Sequence, residues 1–152
     1  MKFFCFLVLA LLMAIQAHSQ GPVQAICLKN QPDGYVLLRV WNPSKCKNYR
    51  LIEAQKEAVD IVLMSGMLRQ EDCGLLPLLG TSHIPKFEKT RSKFYSKKGD
   101  WKIFLRSAPK LQETSLGLDS MKCQSHLLVI SREELRKYLI NNGIIEKLNQ
   151  GF

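Results

Sequence analysis

The chain has 152 residues, with 22 Lys and Arg against 13 Asp and Glu, a net charge of +9 when its three histidines are neutral. That length fits one domain of ordinary size, able to bury a core without depending on staples. The basic balance favours acidic partners (anionic lipid, glycosaminoglycan, nucleic acid or an acidic protein) and is silent on fold.

Residues 1–19 read as a secretory signal peptide. Lys2 supplies the leading charge, Phe3 to Ile15 is an almost unbroken apolar run, and Ala17-His18-Ser19 gives a small-x-small cleavage pattern before Gln20. The run is too short for a permanent membrane helix and no later stretch rivals it, so no transmembrane segment is expected. The expectation is a secreted, extracellular chain 20–152 that carries +8 once Lys2 is gone.

Val23 to Leu28 has the pattern of a first strand, Gln31-Pro32-Asp33-Gly34 of a turn, and Tyr35 to Trp41 of a second strand. Asn42-Pro43-Ser44 signals a helix running to about Lys56, with Leu51, Ile52 and Gln55 on one face. Val59 to Met64 reads as a buried strand broken by Ser65-Gly66, and Cys73 to Leu79 as an extended segment. Residues 80–100 turn polar and basic with little apolar periodicity, which predicts a loop or irregular insert. Trp101 to Leu105 returns to strand pattern, Ala108 to Asp119 is turn-rich, and Leu127 to Ile130 is another strand. Ser131 and Glu134 are spaced as a capping box for a helix whose apolar face is Leu135, Tyr138 and Leu139. Asn142-Gly143 interrupts it before a short helix at Ile144 to Leu148. Strands alternating with helices predict an α/β fold.

Cys5 leaves with the signal peptide, so Cys27, Cys46, Cys73 and Cys123 predict two disulfides, with three connectivities open. No pair has C-x-x-C spacing and no histidine lies in a ligand pattern beside them, so no metal or other cofactor is expected. Asn42-Pro43-Ser44 fails as a glycosylation acceptor because of its proline. His126 precedes an apolar strand and reads as structural. Ser82-His83 and Ser125-His126 are neighbours in sequence, which builds no nucleophile–base pair, so the chain is not expected to be an enzyme.

The charge is concentrated. Between Lys86 and Lys110 lie Lys86, Lys89, Arg91, Lys93, Lys97, Lys98, Lys102, Arg106 and Lys110 against Glu88 and Asp100, a net +7 in 25 residues. Phe87, Phe94, Tyr95 and Trp101 are interleaved with them. One reading is a patch that docks on anionic surfaces, with Lys86, Lys89, Arg91, Lys93, Lys97, Lys98 and Lys102 as its binding residues and the aromatics as apolar anchors. The other is a solvated basic loop whose aromatics tuck into the core.

Glu57 to Met67, followed by Cys73-Gly74-Leu75-Leu76-Pro77-Leu78-Leu79, resembles the transferrin and lactotransferrin family, in which a strand of pattern E-A-D-A-x-x-L-D-x-G precedes C-G-L-x-P-V-x. Phe104-Leu105-Arg106-Ser107, Lys110-Leu111, Asp119, Cys123, Arg132 and Lys137-Tyr138-Leu139 resemble the chain's return through the first subdomain of a lobe, and Ile144 to Leu148 that subdomain's last helix. The resemblance covers roughly 44–79 and 101–150. It implies a single α/β, mixed-sheet domain like one transferrin subdomain (periplasmic-binding-protein-like), with a basic insert at about 80–100. It also implies disulfides Cys27–Cys46 and, for the two cysteines left over, Cys73–Cys123. The family's aspartate ligand for iron(III) falls on Met64, whose thioether does not suit a hard ion. Ser82-His83 resembles the context of the family's histidine ligand. The implied function is a secreted, non-enzymatic binding or signalling protein that has lost iron binding. The partner expected from the charge and the secreted setting is an anionic surface or glycosaminoglycan, or an extracellular protein receptor, with nucleic acid outside its normal role. The alternative is a cationic host-defence protein acting on anionic membranes.

Overall fold

A computed structural model describes residues 23–30, 33–67, 73–106 and 123–146. The signal peptide, the turn-rich stretch 108–119 and the end of the last helix expected from the sequence lie outside these residues.

Strands β1 (Gln24–Asn30) and β2 (Tyr35–Trp41) form an antiparallel hairpin in which Gln24 faces Trp41 and Asn30 faces Val36. Gly34 closes the connection at φ 83°, a conformation open to glycine, and a Cβ there would lie 2.8 Å from Glu133 Cβ. A short 3-10 turn (Pro43–Lys45) follows, then helix α1 (Leu51–Asp60), whose last turn widens into a π-helical stretch Ile61–Ser65. Helix α2 spans Ile84–Phe94, a 3-10 turn spans Asp100–Phe104, and β3 is the two residues Leu105–Arg106. Strand β4 (Ser125–Ser131) runs directly into α3 (Arg132–Asn141).

The four strands lie in the order β1-β2-β4-β3, and every pairing is antiparallel. The fold is mixed α/β as expected, but the mixed sheet is corrected to an antiparallel one. Strand β4 returns along β2 in full register, Tyr35 facing Ser131 and Trp41 facing Ser125, with no parallel crossover. One face of the sheet presents Val36, Leu38, Val40, Leu128 and Ile130 to the helices. Ala54 and Ala58, one turn apart, have side chains small enough to let α1 lie close on β2 and β4. Leu135 and Leu139 of α3 and Phe87 and Phe94 of α2 complete the same core.

Six local expectations are corrected. Val59 to Met64 is helical: a short apolar run does not separate a buried strand from a buried helix, and here α1 continues through it. Carbonyls of its widened turn accept instead from the chain beneath, Leu78 N to Val62 O at 3.1 Å and Leu79 N to Leu63 O at 2.8 Å. Asn42 caps only the 3-10 turn, its side chain accepting from Ser44 N at 3.0 Å; α1 begins at Leu51, where the Glu53 side chain accepts from Arg50 N. Residues 84–94 of the expected insert are a helix, and Trp101 to Phe104 is a 3-10 turn with only Leu105 and Arg106 in the sheet. Helix α3 starts where expected without the capping box. Ser131 makes no cap bond, Glu134 pairs with Lys137, and the Gly34 carbonyl accepts from Arg132 N and Glu133 N. Past Asn142-Gly143, residues 144–146 are not helical.

The disulfides are Cys27–Cys73 and Cys46–Cys123. This corrects the pairing implied by the transferrin resemblance, and the sheet explains the difference. Trp41 and Ser125 are partners at one end of the β2–β4 ladder, so the chain just after β2 and just before β4 meets there, and Gln124 N donates to Cys46 O at 2.8 Å. Cys27 faces the core from β1, where the segment returning from the π-helical turn brings Cys73 beneath it.

Candidate anion-docking face

Helix α2 has two faces of opposite character. Phe87 and Phe94, seven residues apart, point inward and are buried. Lys86, Lys89 and Lys93, spaced at three and seven residues, share the outward side and are exposed. Lys93 also sits in the last turn, where the negative end of the helix dipole favours a cation. Past the helix, Lys97 and Lys98 are exposed on a turn that folds back on its C-terminus. Gly99 makes that approach possible, because a Cβ there would lie 1.9 Å from Phe94 O.

All four aromatics of the segment serve the core. Phe94 meets Phe87 edge-on at 5.5 Å and Tyr95 at 4.8 Å, and lies 5.5 Å from Tyr138. Trp101 is buried and its Nε1 donates to Ser96 O at 3.2 Å. The Tyr95 hydroxyl donates to Asp60 Oδ1 at 2.7 Å, and burial, then the charge of Asp60, push its pKa up. None of these rings is an exposed anchor.

The candidate cations divide into two groups. Arg91 is committed: its guanidinium bonds Asp60 and Glu88, both at 2.8 Å, and lies 5.8 Å from the Tyr95 ring. Lys102 is partly committed, donating to Lys97 O at 2.8 Å with its ammonium 5.6 Å from the centre of the Trp101 ring. Lys86, Lys89, Lys93, Lys97 and Lys98 are exposed and none forms an ion pair with a described acidic residue. The two acids interleaved with them are engaged elsewhere, Glu88 by Arg91 and Asp100 by the Tyr138 hydroxyl at 3.1 Å. Arg106 is exposed on β3, and Lys110 lies outside the described residues.

One cation of this face is not evident from the sequence. Lys56, on α1, places its ammonium 5.5 Å from the same Trp101 ring that Lys102 covers. Its distance of more than forty residues from Lys102 hides the meeting. Arg39 is the lone charge in the apolar run Tyr35 to Trp41. It is buried on β2, with Nε donating to Ser125 Oγ at 2.7 Å. The buried Tyr49 hydroxyl donates to Glu57, and Tyr49 O lies 2.9 Å from His126 Nε2, a structural role for that histidine.

Met64 is half-buried against the core, and His83 is half-buried at the start of α2. Among the described residues, no three His, Cys, Asp or Glu side chains group to hold a metal ion. No described helix is long and apolar enough to cross a membrane. Compared with protein-family models, curated proteins and solved structures, the chain matches none.

Proposed function

We propose that this is a secreted, non-enzymatic binding protein that docks on extracellular anionic surfaces through the lysines of α2 and the turn that follows. One observation carries the reading: the segment's aromatics are buried while Lys86, Lys89, Lys93, Lys97 and Lys98 stand exposed without acidic partners among the described residues. A rigid base holds the charges. Arg91 and Tyr95 pin the helix to Asp60 on α1, and Phe94 packs it on Phe104 and Tyr138. The two disulfides suit the oxidising compartment that secretion implies. The reading does not lean on the resemblance to transferrins, from whose implied sheet and cystine pairing the fold departs.

The experiment compares two charge reversals of equal size on a sulfonate cation exchanger. Lys93→Glu, Lys97→Glu and Lys98→Glu together should move elution to much lower salt. Lys29→Glu, Lys47→Glu and Lys137→Glu together should move it less, because those exposed lysines lie outside the face. Equal shifts would mean that only net charge matters, and the docking face would be withdrawn. Host defence at an anionic membrane is the second reading, favoured by one observation: Ile103, between Lys102 and Arg106 in the chain region, is 59% exposed. Dye leakage from phosphatidylglycerol vesicles, abolished by Ile103→Ser, would support it.

A further inference from the structure

The docking face leaves open what kind of polyanion it takes. Resting on that reading, we infer that its occupant is a linear sulfated polysaccharide, lying along the row Lys86, Lys89, Lys93 and continuing over Lys97 and Lys98 toward the Lys56 and Lys102 ammonium groups at Trp101.

The shape of the charge argues for a chain. Lys86 to Lys93 spans seven residues, about 10 Å along a helix, on a convex surface. No described acidic side chain interrupts the row, since Glu88 is turned to Arg91 and Asp100 to Tyr138. Such a row meets a succession of fixed negative charges, each lysine acting as a compact, hydrated point charge.

The burial of the aromatics separates the polyanions. A helix that lies in a bilayer surface needs an apolar face sunk below the headgroups. Here Phe87, Phe94 and Trp101 are at most 2% exposed and serve the interior, leaving Ile103 as the one large apolar side chain exposed among the described residues of the segment. Single-stranded nucleic acid binds by stacking bases on exposed aromatic rings, and the same burial removes that platform. Arg91, the residue suited to planar, two-pronged recognition of phosphate, is occupied by Asp60 and Glu88. What remains is ionic contact by exposed lysines, which a densely sulfated chain satisfies without insertion or stacking.

Trp101 supplies a local readout. Two ammonium groups lie against its ring, from Lys56 and Lys102, and an anion that draws either away changes the field at the indole. The mature protein should bind a heparin decasaccharide more tightly than phosphatidylglycerol vesicles of equal total charge, and more tightly than a hyaluronan oligosaccharide of equal length. Binding should fall steeply with salt, because exposed charges act over about 8–10 Å at physiological ionic strength. The variant K86Q/K89Q/K93Q should lose about tenfold in affinity at an unchanged urea midpoint, three exposed ionic contacts being removed, while K86R/K89R/K93R keeps most of it. In a Trp41→Phe background, the decasaccharide should perturb Trp101 emission, and the perturbation should shrink in Lys102→Gln. Tighter binding to vesicles than to the decasaccharide would overturn this inference and leave the docking face standing. A K86Q/K89Q/K93Q variant that binds like K29Q/K47Q/K137Q would overturn both.

Discussion

Helix α1 carries two carboxylates three residues apart, Glu57 and Asp60, and each receives a tyrosine hydroxyl from a different part of the molecule. Tyr49, from the chain just before α1, donates to Glu57; Tyr95, from the end of the basic segment, donates to Asp60. The two regions behind these contacts differ. Around Tyr49, residues 35–65 put β2, α1 and the π-helical turn into the core, and both cystines attach beside them, at Cys27–Cys73 and Cys46–Cys123. By loop entropy alone, separations of 46 and 77 residues are each worth about 4 kcal/mol. Residues 84–104 contain no cysteine, and a short row of aromatics together with Asp60 holds them to the rest. A basic segment stays ordered here because its hydrophobic contacts are few and large, which leaves the outward side free for charge.

The largest test of that contrast is Phe94→Ala. Phe94 is buried among Phe87, Tyr95, Phe104 and Tyr138, so truncation opens a cavity where α2 meets α3 and the 3-10 turn. The expected loss is about 3–5 kcal/mol in urea unfolding. Lys89→Ala, on the other side of the same helix, should stay within about 0.5 kcal/mol of the parent. Similar losses from both would mean that the helix does not have a buried and a free face.

These two regions were unequally legible in the sequence, for physical reasons. The β1–β2 hairpin is announced by Gln31-Pro32-Asp33-Gly34 between β-rich runs, and β4 with α3 by an apolar run followed by Leu135 and Leu139 at helical spacing. Helix α2 escaped because its inward side holds only three apolar residues, Ile84, Phe87 and Phe94, with Arg91 breaking the pattern between the last two. The inward place of Arg91 depends on Asp60, 31 residues earlier, and no local pattern reports such a partner. Val59 to Met64 misled for the opposite reason: with every residue but Asp60 apolar, no period distinguishes helix from strand. The cystine pairing is fixed by strand register, which lies beyond reach when four cysteines permit three connectivities. At the docking face, the lysines and their clustering could be read directly, whereas the burial of the aromatics and the arrival of Lys56 needed the fold.

A smaller effect comes from pH and compares the two tyrosines directly. Burial first, then their carboxylate partners, hold both Tyr49 and Tyr95 above the ordinary tyrosine value of 10.0. Below pH 10 both rings are neutral, folded or unfolded. From there upward the unfolded chain releases these protons while the folded chain retains them, so each tyrosine lowers stability by about 1 kcal/mol between pH 10 and pH 11. Tyr95→Phe should flatten the fall between pH 10 and pH 11, read from urea midpoints, by about that amount and leave the share of Tyr49 in place. An unchanged slope would show that Tyr95 ionises as readily in the folded protein as in the unfolded chain, against its place on Asp60.

The smallest effect concerns how the interior contact sets the charge outside. Asp60 does two jobs: it accepts from the Tyr95 hydroxyl and it neutralises Arg91. Asp60→Asn keeps an oxygen for the hydroxyl but removes the negative charge, leaving Arg91 with Glu88 alone. The Arg91–Asp60 pair is about a third exposed on each side, so its loss should cost only about 0.2–1 kcal/mol of stability. Binding should move the other way, because a guanidinium on the lysine-bearing helix becomes available to an incoming anion. A gain of about two- to fivefold in affinity for a sulfated chain follows if the freed contact is worth what an exposed ion pair is worth. Glu134→Gln is the matched control, since it adds the same unit of net charge by releasing Lys137, which is on α3 and not in the lysine row of α2. Tighter binding by Asp60→Asn than by Glu134→Gln would place the attraction at the α2 face. Equal gains would assign it to net charge alone, and the distinction between a structural and a docking side of the basic segment would fall.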